Sequence, residues 1–200
     1  MAVPERRNGL LDNGDEEDAI LMEEGDALRL ENEVVIPPHL HEFAAATKLG
    51  DVFSLRIALD HLNGSINEPV EDGDSALHLA CLYGYFPCVQ LLLERGANIE
   101  VKDEDGAIPL HDACAGGFAD IVQLIFNHAC NLDTINRMLR TVDVEGDTPM
   151  HHAARGEHAN VVRLLLAAGA PRATANIYGE IPRDLADPNT EAWRILDGNN

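Results

Sequence analysis

Two hundred residues suit one domain with or without a tail, and 46% apolar residues are enough to form a core. Aromatic residues make up only 4%, so that core must be built of Ala, Leu, Val and Ile, which favours closely packed short helices over a sandwich with large aromatic anchors. A formal charge of -21, from 35 acidic and 14 basic residues, excludes direct binding to nucleic acid or an anionic membrane, because both depend on Lys and Arg; it favours a basic protein partner.

The first segment, residues 1–37, is acidic. Met1 to Leu11 holds no apolar stretch of signal-peptide length, and no run anywhere approaches the roughly 18 apolar residues that span a bilayer. The expected location is therefore the cytoplasm, the nucleus or both. Asp15-Glu16-Glu17-Asp18 and Glu23-Glu24 are like-charge blocks, which argue for disorder. Among them lie Ile20, Leu21, Met22, Leu28 and Leu30. The segment reads as a flexible solubilising tail, with folding onto a partner or against the next element as the other reading. Pro37-Pro38 marks the boundary.

From there the chain repeats itself. Asp72-Gly73, Asp105-Gly106, Glu145-Gly146 and Tyr178-Gly179 recur at spacings of 33, 40 and 33 residues. Leu77-His78, Leu110-His111, Met150-His151 and Arg183-Asp184 follow them in turn. Downstream lie Val89-Gln90-Leu91-Leu92-Leu93, Val122-Gln123-Leu124-Ile125-Phe126 and Val162-Arg163-Leu164-Leu165-Leu166, two of which close on Gly96-Ala97 and Gly169-Ala170. A turn glycine, a short thin helix and a Leu-rich helix with a glycine stop make a unit that cannot bury its own faces, whereas a stack can. Pro109 and Pro149 suit the first turn of the thin helix, where a missing N–H costs nothing. Ala80, Ala113 and Ala153 keep that helix thin.

This pattern resembles the ankyrin repeat, with Thr148-Pro149-Met150-His151 and Ile108-Pro109-Leu110-His111 as the nearest matches to its T-P-L-H element. The resemblance covers about Pro38 to Leu196 and implies an all-α repeat solenoid, an ankyrin-repeat stack of helix-turn-helix units joined by β-hairpin loops. The domain is expected over residues 38–200, as five repeats at about 39–71, 72–104, 105–144, 145–177 and 178–200. The outer two are degenerate caps: His41 to Leu59 lacks T-P-L-H, and Gly179 to Leu196 has a shortened second helix begun near Asn189 and anchored by Trp193. Both ends carry enough charge for the polar outer face that terminal repeats require.

Two departures stand out. The third repeat is longer by seven residues, around Ile135 to Thr141, and Ala129-Cys130 replaces its helix-ending glycine. Loss of that stop invites the helix to run on or the next hairpin to enlarge. The added segment, with Arg137 and Arg140 beside Met138 and Leu139, is either a tolerated loop insertion or a partner-specific protrusion. In the fourth repeat Glu157 takes the slot of a turn glycine, which predicts a rebuilt turn.

Nothing in the sequence supports catalysis. It contains no G-x-S-x-G, G-x-x-x-x-G-K-[ST] or G-x-G-x-x-G, and no activated nucleophile with a base and an orienting group is evident. Neither a cofactor nor a metal site is expected: Cys81, Cys88, Cys114 and Cys130 lack C-x-x-C spacing, and His151-His152, adjacent on a helix, point apart. The resemblance gives His78, His111 and His151 a structural role, bonding to the adjoining repeat. It also places partners on the hairpin tips and on the exposed side of the first helix. Carried onto this chain, the candidate partner-binding residues are Asp72, Asp74, Asp103, Glu104 and Asp105 on the tips, Tyr83, Tyr85, Phe118, Arg155 and His158 in the groove, and Arg137 and Arg140 on the insertion. Aromatic anchors inside an acidic rim have the anatomy of a protein interface; the other reading is that the acids keep the stack soluble and that some rings pack between repeats. The function expected is a monomeric, non-catalytic adaptor or regulator of a protein partner. An acidic-tailed transcription-related cofactor and an assembly chaperone for a basic client are the alternatives.

Overall fold

A computed structural model describes residues 37–71 and 73–198. The acidic segment up to residue 36, with its expected disorder, and the tip residue Asp72 lie outside them.

The described residues form pairs of short antiparallel helices laid side by side. α1 (His41–Lys48) pairs with α2 (Val52–Asp60), α3 (Ala76–Leu82) with α4 (Phe86–Glu94), α5 (Pro109–Ala115) with α6 (Ala119–His128), and α8 (Pro149–Arg155) with α9 (Ala159–Ala167). A fifth pair consists of a 3-10 turn, Pro182–Leu185, and α10 (Glu191–Asp197). First helices stack on first helices, and second on second. The result is a two-layer repeat stack, as the sequence predicts. The last repeat shows one difference from expectation: its first helix, as well as its second, is shortened. A two-stranded antiparallel ribbon, β1 (Pro69–Glu71) with β2 (Asp74–Ser75), precedes α3.

Small residues make the close stacking possible. Ala80, Ala113 and Ala153 have no exposed surface, and neither do Cys81 and Cys114 beside them. The second helices contribute Val89, Leu92, Val122, Ile125, Val162 and Leu165, all at 0% exposure. Each such side chain contributes about 1.5–3 kcal/mol by leaving water, and only the neighbouring repeat provides the cover. The thiols of Cys81 and Cys114 are pushed well up by burial and stay protonated.

The histidine of the repeat fastens two things at once. His78 Nδ1 accepts the Ser75 N–H at 3.2 Å, while its Nε2 donates to the Ala107 carbonyl of the next repeat at 3.3 Å. His151 does the same with the Thr148 N–H at 2.9 Å and the Glu180 carbonyl at 3.2 Å. Burial lowers both pKa values, which keeps the rings neutral, with one acceptor and one donor nitrogen each. In the last repeat Asp184 stands in the histidine's place, its Oδ2 accepting the Ile181 N–H at 3.2 Å. A carboxylate can close the helix start but cannot donate onward, and no further repeat follows among the described residues.

The seven-residue addition is a helix and not a loop. α6 ends cleanly at His128, because Ala129 turns extended (φ -62, ψ 127) instead of left-handed. Asn131 then caps α7 (Leu132–Met138), accepting the Thr134 N–H at 2.8 Å. Met138 and Leu139 are 0% and 1% exposed. The expected run-on helix or enlarged hairpin is therefore replaced by an extra turn of core. Arg137 faces out and forms a two-pronged ion pair with Glu100, both bonds 2.9 Å; Arg140 is exposed.

Two more expectations are corrected. Glu157 does not rebuild its turn. It adopts the left-handed conformation itself, at φ 58, and the turn keeps the bonds of its counterparts: Glu157 N to Ala154 O matches Gly117 N to Cys114 O and Gly84 N to Cys81 O. The outer face of the first repeat is not uniformly polar. Leu49, Phe53 and Ile57 are 78%, 70% and 45% exposed, and Leu49 and Ile57 border a shallow groove with Ala45, Ala46 and Ala58 beside the polar Glu42, Asp51 and Ser54.

Candidate protein-binding surface

The rings expected in the groove divide into two sets. Tyr83 is 51% exposed at the end of α3, beside Leu82 at 39%. Tyr85, Phe118 and His158 instead form a column between repeats, each standing just before a second helix. Each ring covers the turn of the repeat before it: a Cβ at Gly50 would lie 2.7 Å from the Tyr85 ring, one at Gly84 2.4 Å from Phe118, and one at Gly117 2.4 Å from His158. The Tyr85 hydroxyl also donates to the Lys48 carbonyl at 3.3 Å, and His158 Nε2 to the Ala115 carbonyl at 2.9 Å. These three residues lock successive repeats together; the groove keeps Leu82, Tyr83 and the exposed guanidinium of Arg155. The Tyr83 and Tyr85 rings lie 5.7 Å apart, so the exposed ring rests on the fixed one.

The acidic tips divide similarly. Asp103, half-buried, accepts the Ala107 N–H at 2.8 Å and so closes its own hairpin. Asp143 and Asn176 do the same in the next two repeats. Spacing shows why: each side chain reaches the N–H of the residue four places on, across the turn. Glu104 and Asp105 are exposed at the tip, and Asp74 is half-buried in β2.

Asp143, Asp147 and His152 bring ligand-type atoms within 4.8 Å of one another. Their atoms already serve the fold. Asp147 Oδ1 accepts from Asn176 Nδ2 at 2.9 Å, its Oδ2 pairs with Arg155, and Asp143 Oδ2 pairs with His152 Nε2 at 2.8 Å. Burial works against ionising Asp143, yet the His152 bond and the Asp147 N–H hold its carboxyl below the usual range. Arg155 supplies the cation that balances the fully buried Asp147 carboxylate, so this cluster acts as a tie between repeats four and five.

One acid is less well served. Asp112 occupies, on α5, the position that Leu79 fills on α3. Its Oδ2 is enclosed without a hydrogen-bond partner. Burial, reinforced by the charges of Asp74 and Asp103, pushes its pKa up to about 8. Beside it His111 Nε2 also lacks a partner; burial and the neighbouring His152 bring that ring down to about 4.

Sequence reasoning missed the apolar half of the tips. Val144 is 61%, Ile177 67% and Tyr178 66% exposed, at the positions that hold Glu104 and Asp105 in the third repeat. The signal was present in the alignment of Glu104-Asp105-Gly106 with Val144-Glu145-Gly146 and Ile177-Tyr178-Gly179.

A capped stack of helix pairs with hairpin tips along one edge defines a repeat scaffold that presents a surface rather than a pocket. Ankyrin-repeat models match residues 99–178, as three copies, and residues 72–104, as one. The chain belongs to the ankyrin-repeat family, whose members are protein-interaction modules. A probable E3 ubiquitin-protein ligase of Oryza sativa subsp. japonica, XBOS33, is 53% identical over 34 residues, which are 17% of this chain and 6% of that protein. That stretch is one repeat long, so the likeness is between repeats. Among the described residues no helix is long and apolar enough to cross a membrane.

Proposed function

We propose that this chain is a non-catalytic adaptor or regulator that grips a basic protein partner on the groove and hairpin tips. The observation that supports this reading most is the exposed Leu82–Tyr83 pair at the end of α3, on a scaffold whose tips carry the exposed acids Glu104 and Asp105. Apolar anchors surrounded by charge are where binding energy concentrates, and an acidic rim on a chain of net charge -21 steers a basic surface toward them. The ordinary setting for such a protein is the cytoplasm or nucleus, as a monomer. In this reading Arg137 belongs to the scaffold through Glu100, while Arg140 is available for contact.

The test is affinity capture from cell extract with the full chain and a Leu82→Ala/Tyr83→Ala variant of unchanged thermal stability. A partner retained by the wild type and lost from the variant supports the groove. A partner retained by both moves the site elsewhere on the scaffold.

A further inference from the structure

The tips form a single ridge. Val144 N–H donates to the Asp105 carbonyl at 2.7 Å, and Ile177 N–H donates to the Glu145 carbonyl at 2.9 Å. A Cβ at Gly146 would lie 3.3 Å from Ile177 Cγ2. Successive tips are thus tied by backbone at fixed spacing, and their side chains point out in register.

Along that ridge the chemistry changes in one direction. The paired tip positions read Glu104-Asp105, then Val144-Glu145, then Ile177-Tyr178. All six residues are exposed. Lys102 on the flank offsets one of the acids, and Val142, on the equivalent flank of the next tip, is 40% exposed. Isolated exposed apolar residues need no explanation, but adjoining ones on a rigid edge mark a contact surface. The tip-to-tip bond needs only the Ile177 backbone N–H, and the Tyr178 N–H is taken by Asn176 in its own hairpin at 3.0 Å, so neither side chain is needed in the open for these bonds.

We propose that this ridge binds an extended protein segment in one fixed orientation, with Lys or Arg against Glu104, Asp105 and Glu145 and a large apolar residue against Val144, Ile177 and Tyr178. The proposal rests on the interaction reading above and specifies its partner. Helices pack at about 8–10 Å, so two repeats separate the acidic from the apolar end by roughly 20 Å. An extended chain rises about 3.3 Å per residue, so the basic cluster and the apolar anchor of the partner should lie about six residues apart. A single-signed ridge would set neither order nor spacing; this one sets both.

The experiment is selection of a displayed library of random 16-residue peptides on the full chain, followed by affinity measurement of the enriched peptides at low and high salt. The expected result is enriched peptides that carry a basic cluster and an apolar residue at that spacing, in one order. Ile177→Ser/Tyr178→Ser should weaken them by about tenfold or more and leave the salt dependence in place. Glu104→Gln/Asp105→Asn should instead flatten the salt dependence. Both pairs are exposed, and unchanged melting temperatures verify the fold. Enriched peptides of either order, or peptides indifferent to Ile177→Ser/Tyr178→Ser, overturn the proposal, as does a selection that enriches nothing. If the peptides respond to Leu82→Ala/Tyr83→Ala alone, the ridge is wrong and the groove reading stands. Loss of the groove reading is decided separately, by the capture experiment with that same variant.

Discussion

The Phe118 ring lies where a side chain on Gly84 would have to stand: a Cβ there would be 2.4 Å from Phe118 Cε1. Gly84 also has φ 73, a backbone conformation that costs other residues about 1–2 kcal/mol. Gly179 has a similar φ of 80 with nothing within 4 Å of a Cβ. Alanine at 179 should therefore cost only the backbone strain, about 1–2 kcal/mol. Alanine at 84 should cost that and the displacement of the ring between repeats, about 1–3 kcal/mol more. Urea unfolding of both variants checks this; equal losses would show that Phe118 yields freely and does not lock the repeats.

The stack itself was legible because its unit is written clearly three times in the sequence, and a repeat of 33 residues, once stretched to 40, leaves little choice of fold. Tyr85, Phe118 and His158 were harder to place. Their position before the second helix puts them at the groove margin, and whether a ring there faces out or back depends on the glycine of the preceding repeat, a contact between residues more than 30 positions apart. Leu82 and Tyr83, lacking such a seat, are exposed. The added segment around Ile135 to Thr141 was misread because Arg137 and Arg140 beside Met138 and Leu139 resemble a surface patch. Only the three-dimensional arrangement shows Glu100 positioned to receive Arg137 while Met138 turns inward.

Glu157 holds the left-handed turn at φ 58 and is exposed. Its counterparts Gly50, Gly84 and Gly117 each lie under a ring of the next repeat, which a side chain would strike. The fifth repeat begins its second helix on Thr190, which offers no ring, so a side chain fits at 157. The left-handed strain remains. Glu157→Gly should therefore raise stability, by about 1 kcal/mol after the extra freedom of glycine in the unfolded chain is counted. A lower melting temperature for the variant would mean that the Glu157 side chain stabilises the turn in a way that outweighs the strain.

Asp112 should make stability fall with rising pH. Its folded pKa, raised to about 8, lies above the unfolded value near 4. Between those limits the unfolded chain releases a proton that the folded chain keeps, so folding takes up a proton and loses ground as pH rises. Below about pH 4 the effect is absent, and above about pH 8 it is complete. His111, lowered to about 4, acts with the opposite sign as pH falls below about 6.5. Asp112→Asn cancels only the first effect. Its stability relative to wild type should be near level at pH 4.5 and climb toward pH 8.5 by more than about 1 kcal/mol, since a single pKa unit is already about 1.4 kcal/mol. A constant difference across that range, read from denaturant curves at each pH, would mean that the Asp112 carboxylate ionises normally.

The added helix α7 separates two kinds of contribution within two adjacent residues. Arg137 is paired with Glu100, whose carboxyl the guanidinium holds below its usual range, but both groups are solvent-accessible. Exposed pairs contribute about 0–1 kcal/mol even when the geometry is good. Met138 has no exposed surface, and truncating such a side chain to Ala typically costs about 2–5 kcal/mol, from lost burial and the cavity left behind. Arg137→Ala should thus be nearly silent in thermal unfolding, while Met138→Ala should lower the midpoint by many degrees. The reverse ranking would mean that α7 is held on by its charge and that the apolar contact is incidental. With the expected ranking, the seven extra residues extend the core between the third and fourth repeats, and Arg140 is left as the basic side chain of the insertion that a partner can reach.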